Sequence, residues 1–158
     1  MNKIYIFDLD DTIVIHEYNT VNYDKMQPDT TLHTLINKLD TKELYIYTNG
    51  TYGHAELCLK KIKLFNKFQI FARDTIPSMK PYISSYYHVQ KQIVKDKYYN
   101  NKIIFFDDNY ENLQSAKRIG WITVWIHPKF IEKQKYMDYS FPNIYHALLY
   151  FTINKGSI

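Results

Sequence analysis

Short apolar segments alternate along this chain with longer amphipathic ones. The apolar segments that predict strands are residues 4–7, 44–47, 68–72, 102–106 and 122–126. The segments that predict helices begin at Asp29 or Thr30, Tyr52, Pro81, Tyr110 and Ile144. Short apolar strands that are each followed by a helix are typical of a parallel sheet covered on both faces. The pattern therefore predicts an α/β fold, with one doubly wound, Rossmann-like sheet of about five strands and helices on both faces.

Residues at the predicted helix ends support this division. Asp29 is suited to cap a helix whose apolar residues are spaced three and four apart. Pro81 suits the first turn of a helix that we expect to reach about Asp96, because proline loses no hydrogen bond there. Gly120 suits the left-handed position that ends the helix from Tyr110. These residues separate strand from helix along most of the chain.

The length and composition predict one soluble domain. A chain of 158 residues suits a single domain, residues 1–158, because domains commonly have about 100–150 residues. The single cysteine, Cys58, excludes an internal disulfide and favours a reducing, cytoplasmic location. We expect no signal peptide and no membrane span. The net charge of +4 is compatible with anionic substrates, including nucleic acid, but does not demonstrate them.

Carboxylates stand directly after two of the predicted strands. They are Asp8, Asp10 and Asp11 after the first strand, and Asp107 and Asp108 after the fourth. Adjacent buried carboxylates need a charged partner, for which a metal ion is the leading candidate. Acids are also common in turns and helix caps, and capping of the helix from Tyr110 is compatible with metal binding. Because ligands bind beyond the carboxyl ends of such strands, we expect these acids to share one crevice with Thr48 and Lys80.

Four motifs occur in the order of a known family. They are Asp8-Leu9-Asp10-Asp11-Thr12, Thr48-Asn49-Gly50, Lys80-Pro81 and Asp107-Asp108. In this order they resemble the haloacid dehalogenase (HAD) superfamily of hydrolases that form an aspartyl phosphate. The last motif, up to Asn112, is similar to that of pyrimidine 5′-nucleotidase-like members. The intervals between motifs have no room for a full cap domain, so the chain resembles the capless or minimally capped branch, with a short flap at residues 13–29.

The resemblance implies a role for each motif residue. Asp8 is expected to be the nucleophile that attacks phosphorus. Asp10 is expected to protonate the leaving oxygen and then to activate water. Lys80 is expected to offset negative charge on the nucleophile and on the transferring group. The residues expected to bind the phosphoryl group are Leu9 through its backbone, Thr48, Asn49 and Lys80.

The resemblance also implies a Mg²⁺ site. The ion is expected to bind the Asp8 carboxylate, the Asp10 carbonyl and Asp108, with Asp107 acting directly or through water. Asn112 has two open interpretations: it orients the acid pair, or it lies on the helix surface.

The acid at Asp10 favours cleavage of phosphate esters, because a dehalogenase that attacks carbon has no need of an acid there. We therefore expect a Mg²⁺-dependent phosphatase that acts on a nucleotide, a phosphoprotein or a nucleic-acid end. The flap, or a second subunit of a homo-oligomer, would cover the site. The alternative is a non-catalytic binding or scaffold protein of the same fold, which the tyrosine- and lysine-rich surface favours.

Several other residues carry weak signals. His16, Tyr18 and Tyr23 lie in the flap, where exposed residues without a function are the more common case. His54 belongs to no motif, and we expect it to be a structural or surface residue. Asp11 stands where many members of the family have glycine, and we interpret it as a local hydrogen-bonding or capping residue.

Overall fold

A six-stranded parallel sheet lies between two layers of helices in the computed structural model, which describes residues 2–17, 20–41, 43–94 and 101–157. The strands are β1 (Asn2–Phe7), β2 (Leu44–Tyr47), β3 (Gln69–Phe71), β4 (Asn101–Asp107), β5 (Ile122–Ile126) and β6 (Tyr139–Phe141). Their order across the sheet is β3-β2-β1-β4-β5-β6, and neighbouring strands are parallel. The α-helices are α1 (Thr30–Asn37), α2 (Tyr52–Lys61), α3 (Ile83–Ile93), α4 (Tyr110–Arg118) and α5 (Ile144–Ile153). The predicted doubly wound α/β fold is confirmed.

The sheet has one strand more than the five or so that the sequence predicts. The additional strand, β6, has three residues, all of intermediate burial, and pairs with β5 at the edge of the sheet. An edge strand needs less apolar sequence than a central strand because one of its sides has no neighbouring strand. The run Tyr139–Phe141 therefore lacks the longer apolar run by which the sequence predicts the other five strands.

Two of the predicted helix ends, the start of α1 and the end of α4, agree with the structure, whereas the predicted start of α3 differs. The side chain of Asp29 caps α1 by accepting the backbone N–H of Leu32 at 2.8 Å. Gly120 follows α4 with a φ of 86°, in the left-handed region that glycine adopts readily.

None of the helices in the described ranges is long and apolar enough to cross a membrane.

The prediction that Pro81 lies in the first turn of a helix was wrong. Tyr82 is the N-cap of α3, and the helix begins at Ile83. The N–H of Tyr82 donates to the carbonyl of Met79 at 3.0 Å, so the chain completes a turn before the helix starts. Asp96, the predicted end of this helix, lies outside the described residues.

Side chains of the central strand β1 alternate between two buried layers. Tyr5 and Phe7 face a core formed with α1, α2 and α5, whereas Ile4 and Ile6 face a second core formed with α3 and α4. The rings of Phe7 and Phe106 stack with centroids 4.6 Å apart, across the β1–β4 pair. Burial on both faces explains why residues 4–7 of β1 and 103–106 of β4 form unbroken runs without charge.

The pairing of β1 with β4 determines where the acids of the two strands emerge. Phe7 is the partner of Phe106 in the parallel ladder. The N–H of Asp8 continues the ladder by donating to the Phe106 carbonyl at 2.8 Å. Asp8 and Asp107 therefore leave the sheet side by side at its carboxyl edge.

The flap predicted at residues 13–29 begins with a tight reversal of the chain. Asp11 has a φ of 59°, and its N–H donates to the Val14 carbonyl at 2.7 Å. Ile13 and Val14 are buried in the core, so this end of the flap is anchored next to Asp10. Tyr18, which the sequence places in the flap, lies outside the described residues.

Gly120→Ala should lower the free energy of unfolding by about 1 kcal/mol, because a Cβ is strained at positive φ. Gly53→Ala is the matched control: it lies in α2, and a Cβ there would meet no atom within 4 Å. We expect a gain of several tenths of a kcal/mol from the better helix propensity of alanine. Urea unfolding followed by circular dichroism measures both values, and changes of the same sign would contradict the backbone conformations described.

Candidate active site

A buried lysine lies between two carboxylates at the carboxyl ends of β1 and β4. The Nζ of Lys80 is 2.8 Å from Oδ1 of Asp8 and 2.7 Å from Oδ2 of Asp107. The other oxygen of Asp8 accepts a hydrogen bond from the Thr12 hydroxyl at 3.2 Å. The side chains of Lys80, Asp8 and Asp107 are 1, 9 and 0% exposed, so their charges depend on each other rather than on water. The fold thus brings together three residues from three separate motifs.

Asn49 holds the backbone of Lys80. Its Nδ2 donates to the Lys80 carbonyl at 2.9 Å, and its Oδ1 accepts the Lys80 N–H at 3.0 Å. The Lys80 ammonium also lies 5.2 Å from the ring centroid of Tyr47 and 5.3 Å from that of Phe105, within the range of cation–π attraction. Both ends of the Asn49 amide are occupied in positioning Lys80. Its expected contact with a substrate therefore stays a prediction.

Hydrogen bonds fix the carboxylate of Asp107. The Nδ2 of Asn112 is 3.1 Å from each of its oxygens, and the N–H of Asn109 donates to Oδ1 at 2.8 Å. Of the two interpretations of Asn112, the geometry therefore supports orientation of the acid pair. Asn109 is the N-cap of α4, so the capping interpretation of Asp107 and Asp108 was wrong.

The acids form a cluster of oxygen donors. Single oxygens of Asp8, Asp107 and Asp108 all lie within 4.8 Å of one another. Burial raises the pKa of Asp8 to about 8, an effect that Lys80 opposes and Asp107 reinforces. Burial, reinforced by Asp107, raises the pKa of Asp108 to about 7. Burial alone would lower the pKa of Lys80, but the charges of Asp107 and Asp8 raise it. A hard divalent cation fits this donor set, because the ionised form of all three carboxylates would carry more negative charge than one lysine offsets.

Asp10 lies beside this cluster but has different partners. The Nε2 atoms of His16 and His54 are 2.5 and 2.8 Å from the same oxygen, Oδ1. The hydroxyl of Tyr23 is 2.7 Å from Nδ1 of His54. His54, which the sequence analysis places in no motif, therefore lies at the site and contacts Asp10. Its one sequence signal is its place in the first turn of α2, directly after the motif Thr48-Asn49-Gly50.

Thr48 and Leu9 have positions compatible with their predicted roles. The Oγ1 of Thr48 is buried and accepts the N–H of Gly50 at 2.9 Å. A Cβ at Gly50 would lie 2.9 Å from the His54 ring, 3.3 Å from Thr48 Oγ1 and 3.6 Å from Asp10 Oδ2, so glycine permits the close approach of these groups. The side chain of Leu9 is fully buried in the core, which leaves its backbone for contact with a substrate. These substrate contacts stay predictions.

A second group of donor atoms is better explained by hydrogen bonding than by metal binding. Atoms of Asp10, His54 and Cys58 also lie within 4.8 Å of one another. Burial, reinforced by the charge of Asp10, raises the pKa of the Cys58 thiol to about 12. Because cysteine ligates metals as the thiolate, a thiol held in this state is a poor ligand. The contact between Asp10 and His54 is already a hydrogen bond of 2.8 Å.

Comparison with family models decides the family. Residues 13–126, most of the chain, match the model of the haloacid dehalogenase-like hydrolases. The chain belongs to this family. The matched range starts after Asp8 and Asp10, so the match does not include these two acids, which the structure places beside the matched residues Lys80 and His54. Comparison with curated proteins gives no significant match.

Solved structures of HAD proteins share the fold. The HAD-hydrolase YfnB from Bacillus subtilis, bound to magnesium, has a TM-score of 0.60 at 23% identity, over 78% of this chain and 53% of that one. L-2-haloacid dehalogenase from Xanthobacter autotrophicus, with chloropropionic acid covalently bound, has a TM-score of 0.64 at 14% identity, over 86% and 64%. This HAD-like hydrolase therefore spans between half and two thirds of the length of these relatives.

Lys80→Met should lower the free energy of unfolding of the metal-free protein by about 3–5 kcal/mol, because it leaves two buried carboxylates without their cation. Adding Asp107→Asn should recover part of this loss. Lys117→Met is the matched control, since Lys117 pairs with Asp138 where both side chains are at least 30% exposed. The control should cost under about 1 kcal/mol. Urea denaturation measures all three variants, and equal losses for the two lysines would contradict the role of Lys80.

Proposed function

We propose that this HAD-like hydrolase is a Mg²⁺-dependent phosphatase that cleaves a phosphomonoester through an aspartyl phosphate on Asp8. The observation that carries the proposal is the position of Asp10, two residues after Asp8 and bound by His16 and His54. Cleavage of a phosphate ester leaves an alkoxide that needs a proton, whereas a departing halide needs none. The acid therefore favours a phosphatase, although dehalogenases are among the proteins of similar fold.

In the first step, an oxygen of Asp8 attacks phosphorus. The bond between phosphorus and the ester oxygen breaks, and the leaving oxygen takes the proton of the Asp10 carboxyl. In the second step Asp10, now ionised, accepts a proton from water while that water attacks phosphorus. The bond between Asp8 and phosphorus then breaks, which releases inorganic phosphate and restores both carboxyl groups. Lys80, hydrogen-bonded to Asp8 at 2.8 Å, offsets the negative charge of the reacting groups.

The residues proposed to hold Mg²⁺ are Asp8, Asp108 and the carbonyl of Asp10. Asp107 would support them, because its oxygens already accept hydrogen bonds from Asn112 and Lys80. When bound, the ion would neutralise charge on the phosphoryl group and favour the ionised form of the nucleophile. The all-oxygen donor set and the raised pKa of Asp8 and Asp108 support this assignment.

We propose a phosphorylated partner with a sizeable leaving group as the substrate: a nucleotide, a phosphoprotein or a nucleic-acid end. A cavity of about 440 Å³ lies under the flap, and its lining includes His16, Met26, Ile62 and Tyr145. Small-molecule sites commonly measure about 300–1,000 Å³ and have mixed apolar and polar walls. Asp10 does not line this cavity, but His16 lines it and also contacts Asp10, so one side chain links the cavity to the acid that would serve the leaving group. A cavity of this size so placed is compatible with the base and sugar of a nucleotide.

Asp8→Asn should reduce the hydrolysis of p-nitrophenyl phosphate in Mg²⁺ at least about 1,000-fold, because the amide is a poor nucleophile. Asp24→Asn is the matched control, since Asp24 is an exposed acid of the flap, and it should keep full activity. Activity that survives in Asp8→Asn would overturn the aspartyl-phosphate mechanism. A panel of nucleotides, phosphopeptides, 3′-phosphorylated oligonucleotides and 2-chloropropionate then identifies the substrate. Release of chloride would favour a dehalogenase, and binding without turnover would favour a scaffold.

Mg²⁺ at about 100 times its dissociation constant should stabilise the wild-type protein by about 2.7 kcal/mol, because it binds the folded state. Asp108→Asn should lose most of this gain, and Asp24→Asn should keep it. Thermal unfolding in EDTA and in a series of Mg²⁺ concentrations measures the effect. A gain in Asp108→Asn as large as in the wild type would exclude Asp108 as a ligand.

A further inference from the structure

Two histidines from distant parts of the chain bind one oxygen of Asp10. His16 comes from the flap and His54 from the first turn of α2, and both Nε2 atoms lie within 2.8 Å of Oδ1. The side chains of His16 and His54 are 6 and 15% exposed, whereas that of Asp10 is 31% exposed, so the histidines are shielded from water while the acid stays accessible. The other oxygen, Oδ2, faces Gly50, where a Cβ would lie 3.6 Å away. Both histidines thus hold Oδ1. The hydrogen bonds among the described residues leave Oδ2 free to face the site.

The contact with Tyr23 determines which nitrogen of His54 faces Asp10 as a donor. A neutral imidazole has one N–H donor and one acceptor nitrogen. The Tyr23 hydroxyl lies 2.7 Å from Nδ1 and can donate to it, and this leaves Nε2–H to donate to Asp10. Tyr23 therefore favours the tautomer in which His54 binds the carboxyl, as supporting groups do for other functional histidines.

His16 is fixed by the residue next to the acid. Its backbone N–H donates to Oδ1 of Asp11 at 3.1 Å. Asp11 has a φ of 59°, a conformation that glycine adopts without strain and aspartate tolerates. Glycine at this position would provide the turn but no acceptor for the N–H of His16. The aspartate therefore ties the flap to the acid.

We propose that His16, His54 and Tyr23 form a clamp that positions Asp10 for proton transfer to the leaving group. This inference rests on the proposed phosphatase function. The three residues of the clamp are positioning residues, because they act through Asp10. With Oδ1 held, Oδ2 is the oxygen that carries the proton to the ester oxygen. The clamp therefore matters most for esters whose leaving oxygen is strongly basic.

The test compares two esters of different leaving groups in His54→Leu. The value of kcat/KM for β-glycerophosphate, an alkyl ester, should fall about 10- to 100-fold, since a positioned acid contributes about 100-fold or more. The value for p-nitrophenyl phosphate should fall less than about threefold, because nitrophenolate leaves without a proton. His54→Gln keeps an N–H donor and should recover most of the loss. Tyr23→Phe should shift the ratio in the same direction by a smaller factor.

His146→Leu is the matched control, because His146 has the same place in α5 that His54 has in α2. Each is the third residue of its helix, and its N–H donates to the side chain of the N-cap residue. His146→Leu should change neither ester. An equal loss for both esters in His54→Leu, or no loss for the alkyl ester, would overturn the clamp.

A second measurement separates the clamp from the proposed function. Asp10→Asn and Tyr23→Phe should each shift the ¹⁵N resonances of the His54 ring in the resting protein, and those of His146 should stay unchanged. Unchanged His54 resonances in Asp10→Asn would overturn the clamp whatever the activity. If the wild-type protein cleaves neither ester although the resonances shift, the proposed function and the catalytic role of the clamp fail, and only the hydrogen-bonded arrangement stands.

Discussion

Two carboxylates that end neighbouring buried strands carry charge in a place with almost no water, and the ammonium of Lys80 lies between them. Each charge loses several kcal/mol of hydration on burial, and only close, well-oriented attraction offsets that cost. The surrounding bonds serve this geometry: Asn49 fixes the backbone of Lys80, and Asn112 fixes the carboxylate of Asp107. Because β1 and β4 pair up to Phe7 and Phe106, the sheet itself sets the separation of Asp8 from Asp107.

The acids of the site fall into two groups with different partners. Asp8 and Asp107 share a cation, whereas Asp10 binds imidazole nitrogens. Lys80 favours the charged form of Asp8, which a nucleophile and metal ligand needs, and so opposes the burial that raises the pKa of this carboxyl. A group that serves first as an acid and then as a base gives up a proton and takes one back during turnover. Imidazole nitrogens can donate or accept a hydrogen bond, and this suits both states of Asp10. The difference in partners therefore matches the difference in proposed roles.

The sequence predicts the central strands and the acid cluster because both depend on local features. A buried strand shows as an apolar run, and the topology then brings the residues after each run to one edge. The contact of His54 with Asp10 spans 44 positions and depends on how α2 packs, which periodicity does not encode. On α2 the spacing of His54 to Cys58 is that of any buried helix face. The edge strand β6 and the turn before α3 were missed for a similar reason, since neighbouring segments determine both.

Asp11 occupies a left-handed position, and its side chain holds the start of the flap. A non-glycine residue in the left-handed region costs about 1 kcal/mol, and aspartate is among the residues that adopt this region most readily. The carboxylate of Asp11 offsets this cost by binding the N–H of His16, whose ring binds Asp10. The flap is therefore tied to the acid at its start through His16, and again through Tyr23 and His54. A movement of this flap would therefore change the partners of the acid itself.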